Sequence, residues 1–123
     1  MKNSITLLTT HVSRGRLDDI GMGDPNFTVE LIDIMIEDGS QRVQKLRTAH
    51  NLQHFEEVGK IAHSLKGAAL NVGAMTLAQL CAEIDETIRS LSEAITPEQV
   101  ALVEAEFTSV VEELKQIKSE ITA

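Results

Sequence analysis

One stretch of the chain, Ala62-His63-Ser64-Leu65-Lys66-Gly67-Ala68-Ala69-Leu70-Asn71-Val72-Gly73-Ala74, gathers residue types that can do chemistry. On a helical wheel at about 100° per residue its apolar stripe centres near Leu65 and Ala69, and His63 projects about 130° away, toward solvent. An exposed imidazole titrates close to neutrality, so much of it carries a free ring-nitrogen lone pair and can act as a nucleophile. Gly59 lies one turn before His63 and Gly67 one turn after. A glycine inside a helix costs about 1 kcal/mol relative to alanine, and a helix carries that cost most readily where something must approach its surface. Lys66, three residues on, can set an ammonium beside whatever His63 holds. Phosphoryl transfer asks mainly for positioning and charge compensation, which this arrangement offers. The more exposed ring nitrogen, Nε2, is the expected point of attachment.

Each of these residues also has a plainer reading. His63 alone would be a solvated surface histidine, Lys66 a solubilising charge, and Gly67 a site of close helix packing. Their conjunction favours chemistry. Around them, Lys60 faces the same solvent side, and Leu70, about 20° from His63 on the wheel, is read as an exposed apolar residue. Gly59, Lys60 and Leu70 are therefore the expected partner-docking positions, with Met35 and Ile36 extending the patch from the preceding helix. His50 and His54 stand at i, i+4, a spacing that can bind a metal on a helix, but no Cys or carboxylate pattern completes a site. No metal and no cofactor are expected. Cys81 falls in an apolar stripe and reads as a buried, inert thiol. His11 supports no reading.

The elements that must position His63 follow from punctuation and periodicity. Both prolines, in Asp24-Pro25 and Thr96-Pro97, follow a capping side chain and open a helix. Thr96 with Gln99 forms a capping-box pattern. Val100, Val103, Phe107, Val110, Leu114, Ile117 and Ile121 make one apolar stripe, and Leu77, Leu80, Cys81, Ile84, Ile88 and Leu91 make another. Phe55, Val58, Ala62, Leu65, Ala69 and Val72 mark a third helix over about 53–71. Phe27, Leu31, Ile34, Val43 and Leu46 mark a fourth from Pro25 to Ala49, bent or loosened at Asp38-Gly39-Ser40. Gly73 is the expected left-handed cap between helices. Four such stripes with short connectors are buried most economically in an all-α, antiparallel four-helix bundle, with a short additional N-terminal helix around Arg16 to Ile20. Residues 1–13 read as an N-terminal extension of uncertain structure and 14–123 as the bundle domain.

Bulk composition narrows the function classes. At 123 residues the chain makes one domain. Three Phe, no Tyr and no Trp leave a core of Leu, Ile, Val and Ala. A formal net charge of −8 argues against a nucleic-acid binder. No apolar run approaches the roughly 20 residues a spanning helix needs, and the first residues lack a secretory signal. One cysteine permits no internal disulfide, so a cytoplasmic protein is expected. No nucleotide-binding loop or kinase motif is present, so the chain is not expected to be an enzyme that phosphorylates itself.

His63, Leu65, Lys66 and Gly67, followed six positions later by Gly73-Ala74, resemble the signature of histidine-containing phosphotransfer domains. The resemblance covers about residues 15–120. Glu30-Leu31 to Ile36-Glu37-Asp38 fit the family's helix before the site, and Leu77, Leu80 and Cys81 the helix after it. It implies a four-helix bundle, phosphorylation of His63, steadying of the phosphoryl group by Lys66 and an open approach at Gly67. Asp85 stands where the family more often has Glu, a change from which no functional consequence is expected. Residues before Ser13 have no counterpart. The partners implied are receiver domains of response regulators or hybrid sensor kinases, with no nucleic acid and no membrane, and with the chain a monomer. The expected function is a two-component phosphorelay intermediate between two receivers. The alternative is a non-catalytic helical adaptor using the same face. The opening Met1 and the lack of a linker favour a free-standing protein over a piece of a kinase. Receiver pockets are acidic and so is this chain, so local cations and apolar contact must set recognition.

Overall fold

The computed structural model describes residues 10–91 and 95–123. Residues 1–9, most of the expected N-terminal extension, lie outside the described residues. The fold is all-α. Helix α1 spans Arg14–Ile20, α2 Pro25–Asn51, α3 Phe55–Asn71, α4 Met75–Glu86 and α5 Pro97–Thr122, with α4 running on into a π turn at Thr87–Leu91. Side-chain caps set three of these starts. Ser13 Oγ accepts from the Arg16 N–H, Asp24 from the N–H groups of Asn26 and Phe27, and Thr96 and Gln99 form the expected capping box. Gly73 takes the left-handed conformation (φ 71°) that ends α3 and turns the chain into α4.

Helices α2, α3, α4 and α5 close a ring in which each packs on its two neighbours, and α1 lies across α2 and α3. Ion pairs report the antiparallel register of α2 and α5: Lys118 binds Asp33 at 2.7 Å and Arg47 binds Glu104 at 2.6 Å. The interior is filled by Ile32, Leu46, Val58, Leu65, Leu77, Ile84, Val103, Val110 and Leu114, all buried. Burying each such side chain stabilises the fold by roughly 2 kcal/mol.

Two expectations about α2 are corrected. Ile34 is 56% exposed, while Ile32 and Met35 enter the core, so the stripe is rotated from its expected phase and Met35 is no part of a surface patch. The cause is that Thr28 and Gly39, neither strongly apolar, occupy core-facing positions on the same side. As expected, Asp38-Gly39-Ser40 does not break the helix. Gly39 is there for packing: a Cβ on it would lie 2.5 Å from Cε1 of Phe107.

Ahead of α1 the chain is tied down. Val12 is buried, the Ser13 N–H donates to the Gly73 carbonyl at 2.9 Å, and His11 Nδ1 lies 2.6 Å from Glu106 Oε2. The backbone N–H groups of His11 and Val12 both donate to the Glu113 carboxylate. His11, which supported no reading in the sequence, thus anchors this segment to α5.

Candidate functional site

The stripe Val58, Ala62, Leu65 and Ala69 locks one face of α3 into the core, and the 3.6-residue period then dictates what faces outward. His63 stands on that outer face with 72% of its side chain exposed. Lys66, half-buried on the same helix, has no ion-pair partner among the described residues. Gly67 is exposed, and a Cβ there would meet nothing within 4 Å. The chain's own packing therefore gives no reason for a glycine at this position.

Gly59 has a different environment from the one expected. It is buried, and a Cβ there would touch Ile88 Cδ1 at 3.4 Å. The π turn folds Ile88 over it, so Gly59 is covered where Gly67 is open. Leu70 is also displaced from expectation: it is half-buried and packs on the core rather than standing free. Lys60 remains exposed and pairs with Glu56 at 3.7 Å.

The side of His63 that faces α4 holds a residue to which the sequence assigns no role. Asp85, with a side chain only 10% exposed, places Oδ2 at 3.6 Å from His63 Nδ1. The same oxygen lies 2.9 Å from Nη2 of Arg89, whose side chain is 73% exposed. Residues 85 and 89 are one turn apart, and the π turn begins between them. Such turns widen the helix locally and recur near functional sites. On the other flank, Arg42 of α2 donates to the hydroxyl of Ser64, next to His63. Cationic side chains of α2 and the π turn thus contact Ser64 and Asp85, the neighbours of His63, in a chain whose net charge is −8.

The arrangement can do nucleophilic chemistry at Nε2. A carboxylate facing Nδ1 favours the tautomer with the proton on that nitrogen, which leaves the lone pair on Nε2. Other titratable residues stand apart. His50 Nε2 lies 2.8 Å from the Ile95 carbonyl and its ring meets Phe55 edge-on at 6.1 Å, whereas His54 is exposed at the start of α3. Among the described residues no three His, Cys, Asp or Glu side chains are grouped to hold a metal ion. Burial pushes the Cys81 thiol up to about 12. No described helix is long and apolar enough to cross a membrane.

Residues 30–120 match the Hpt domain family. Among solved structures, histidine-containing phosphotransfer protein B of Pseudomonas aeruginosa is 26% identical, with a TM-score of 0.83 over 91% of this chain and 97% of that one. A rice protein described as a histidine-containing phosphotransfer protein is 20% identical, with a TM-score of 0.77 over 98% of this chain and 90% of that one. No curated protein matches.

Proposed function

Because the chain belongs to the Hpt domain family, with a phosphotransfer role in two-component signalling, we propose that it is a phosphorelay intermediate which takes a phosphoryl group onto His63 from a receiver-domain aspartate and passes it to a second receiver. The observation that carries this reading is the environment of one side chain: His63 is 72% exposed, the Gly67 position one turn on is unobstructed, and Nδ1 lies 3.6 Å from Asp85.

In the accepting step the Nε2 lone pair attacks the phosphorus of an aspartyl phosphate. The P–O bond breaks with its electron pair left on the departing carboxylate, and the P–N bond forms in line with it. Lys66 supplies positive charge to the equatorial oxygens as negative charge spreads over them. Gly67 lets the receiver bring its phosphorylated loop down to the ring. In the unphosphorylated ring Asp85 favours the proton on Nδ1, so the nucleophile is formed without a separate base. The reverse steps deliver the group to the next receiver. Lys60 on α3 and Arg42 on α2 flank the path of approach and complement an acidic receiver pocket locally, against the overall charge of the chain.

The test is phosphoryl uptake from a radiolabelled phospho-receiver by wild type and His63→Gln. Acid-labile, base-stable label on wild type alone supports the carrier. Retained partner binding with no label on either protein, across several receivers, makes the helical adaptor the better account.

A further inference from the structure

Asp85 has one oxygen near two cationic or potentially cationic groups, His63 Nδ1 at 3.6 Å and Arg89 Nη2 at 2.9 Å. The shorter contact belongs to the arginine. Arg89 contributes little to packing, since 73% of its side chain is exposed. Asp85, in contrast, is nearly buried, so its charge is poorly screened by water and acts strongly on whatever faces it.

The consequence lies in the phosphorylated state, and so rests on the proposed function. When Nε2 carries the phosphoryl group, Nδ1 can be bare or protonated. The bare ring must leave as an imidazolate, a poor leaving group. The protonated ring leaves as neutral imidazole: the P–Nε2 bond breaks with its electron pair going to Nε2, the proton stays on Nδ1, and phosphorus bonds to the incoming carboxylate or water oxygen. A carboxylate at Nδ1 favours the protonated ring and hence departure. A guanidinium on that carboxylate opposes it.

We propose that Arg89 is a positioning residue which, by holding Asp85, sets how readily the phosphoryl group leaves His63. The exposed guanidinium restrains the carboxylate and lengthens the life of the phosphorylated carrier. A docking receiver that draws Arg89 away would free Asp85 and promote transfer at the moment an acceptor is present. The other charged groups lining the cavity beside the ring are Glu56 and Lys60 on its own helix; Lys66 follows His63 by three residues, and Arg42 on α2 reaches the adjacent Ser64. Lys60 is engaged by Glu56 and Arg42 by Ser64, which leaves the Asp85–Arg89 pair as the one facing Nδ1.

The experiment loads the whole chain with phosphoramidate, a small donor that needs no receiver, and follows loss of label from pH 5 to 9. Arg89→Gln is expected to lose label about threefold faster than wild type near neutrality, the scale of releasing a pair with one exposed member. The pH above which label persists should move up. Asp85→Asn should move it down and slow the loss about tenfold, and Arg89→Lys should restore most of the wild-type profile. A purely structural role for Arg89 would leave the pH profile in place. Arg89→Gln that matches wild type, or loses label more slowly, overturns the proposal. If phosphoramidate does not load wild type, a phospho-receiver loads it instead; if wild type takes label from neither, the proposed function fails first and this inference with it.

Discussion

The ring of Phe107 on α5 lies directly over the backbone of Gly39 on α2, so close that a methyl group at residue 39 would sit 2.5 Å from Cε1 and 2.8 Å from Cζ. Phe107 is 6% exposed and has little room to retreat. Gly39→Ala should therefore destabilise the protein by about 1–2 kcal/mol, because overpacking a filled core outweighs the helix propensity that alanine adds. Urea unfolding at neutral pH measures this. An unchanged or raised midpoint would show that the α2–α5 seam is softer than its geometry implies.

Gly67 gives the opposite balance. Nothing in the chain contacts the place where its side chain would be, so Gly67→Ala should stabilise the fold by about 1 kcal/mol through helix propensity alone. The same methyl group stands beside the path to His63 and should slow uptake from a phospho-receiver by about tenfold or more, since small misplacements of reacting groups are costly. Uptake from phosphoramidate, a much smaller donor, should be affected less. A variant that is more stable and equally fast with receivers would remove the steric role of Gly67.

These two glycines also show what the sequence reveals and what it conceals. The helices, their caps and the outward placement of His63 were legible because leucine, isoleucine and valine repeat at the helical period, and proline follows capping residues. The rotation of α2 was not, because Gly39 and Thr28 hold core positions without an apolar signature. Gly59 was misplaced for the same reason: a glycine gives no hydrophobic signal, and only Ile88 lying on it reveals that it is buried. Asp85 and Arg89 reach His63 across the α3–α4 seam, from more than 20 residues away in the chain. No local spacing rule brings such residues together. In the sequence Asp85 stands out only as a departure from the family pattern, and His11 not at all, since its carboxylate partners on α5 are about a hundred residues distant.

Lys66 is half-buried and unpaired among the described residues, so its removal should touch function far more than folding. Lys66→Ala is expected to unfold within about 0.5 kcal/mol of wild type while accepting phosphoryl groups about tenfold more slowly. Rapid-quench measurement of label uptake and a denaturant titration on the same preparation separate the two effects. Equal uptake rates would leave Lys66 as a solubilising charge.

Cys81 is fully buried in the stripe of α4, and burial pushes its thiol up to about 12. The thiolate is the reactive form, so iodoacetamide at pH 8 should leave the folded protein unmodified for hours and label it quickly in 6 M guanidinium. Fast labelling of the native protein would mean that the α3–α4 seam opens readily, which would also loosen Asp85 from His63.

The Arg47–Glu104 pair joins the two longest helices away from the phosphoryl site and makes stability depend on pH. Arg47 donates from Nε to Oε2 at 3.0 Å and from Nη2 to Oε1 at 2.6 Å, a bidentate contact. These hydrogen bonds hold the Glu104 carboxyl below its ordinary value of 4.5. A carboxylate whose folded value is lowered adds stability that is fully present above its unfolded value and disappears as pH falls through the folded one. With each side chain about one-third exposed, solvent screening limits the contribution to about 1 kcal/mol. Arg47→Met should accordingly unfold about 1 kcal/mol more easily than wild type at pH 7, and the gap should close below pH 4.5 as the carboxylate is protonated. Paired urea titrations at pH 7 and pH 3 would check this. A gap of equal size at both values would assign the loss to the packing of the arginine stem between α2 and α5 rather than to its charge.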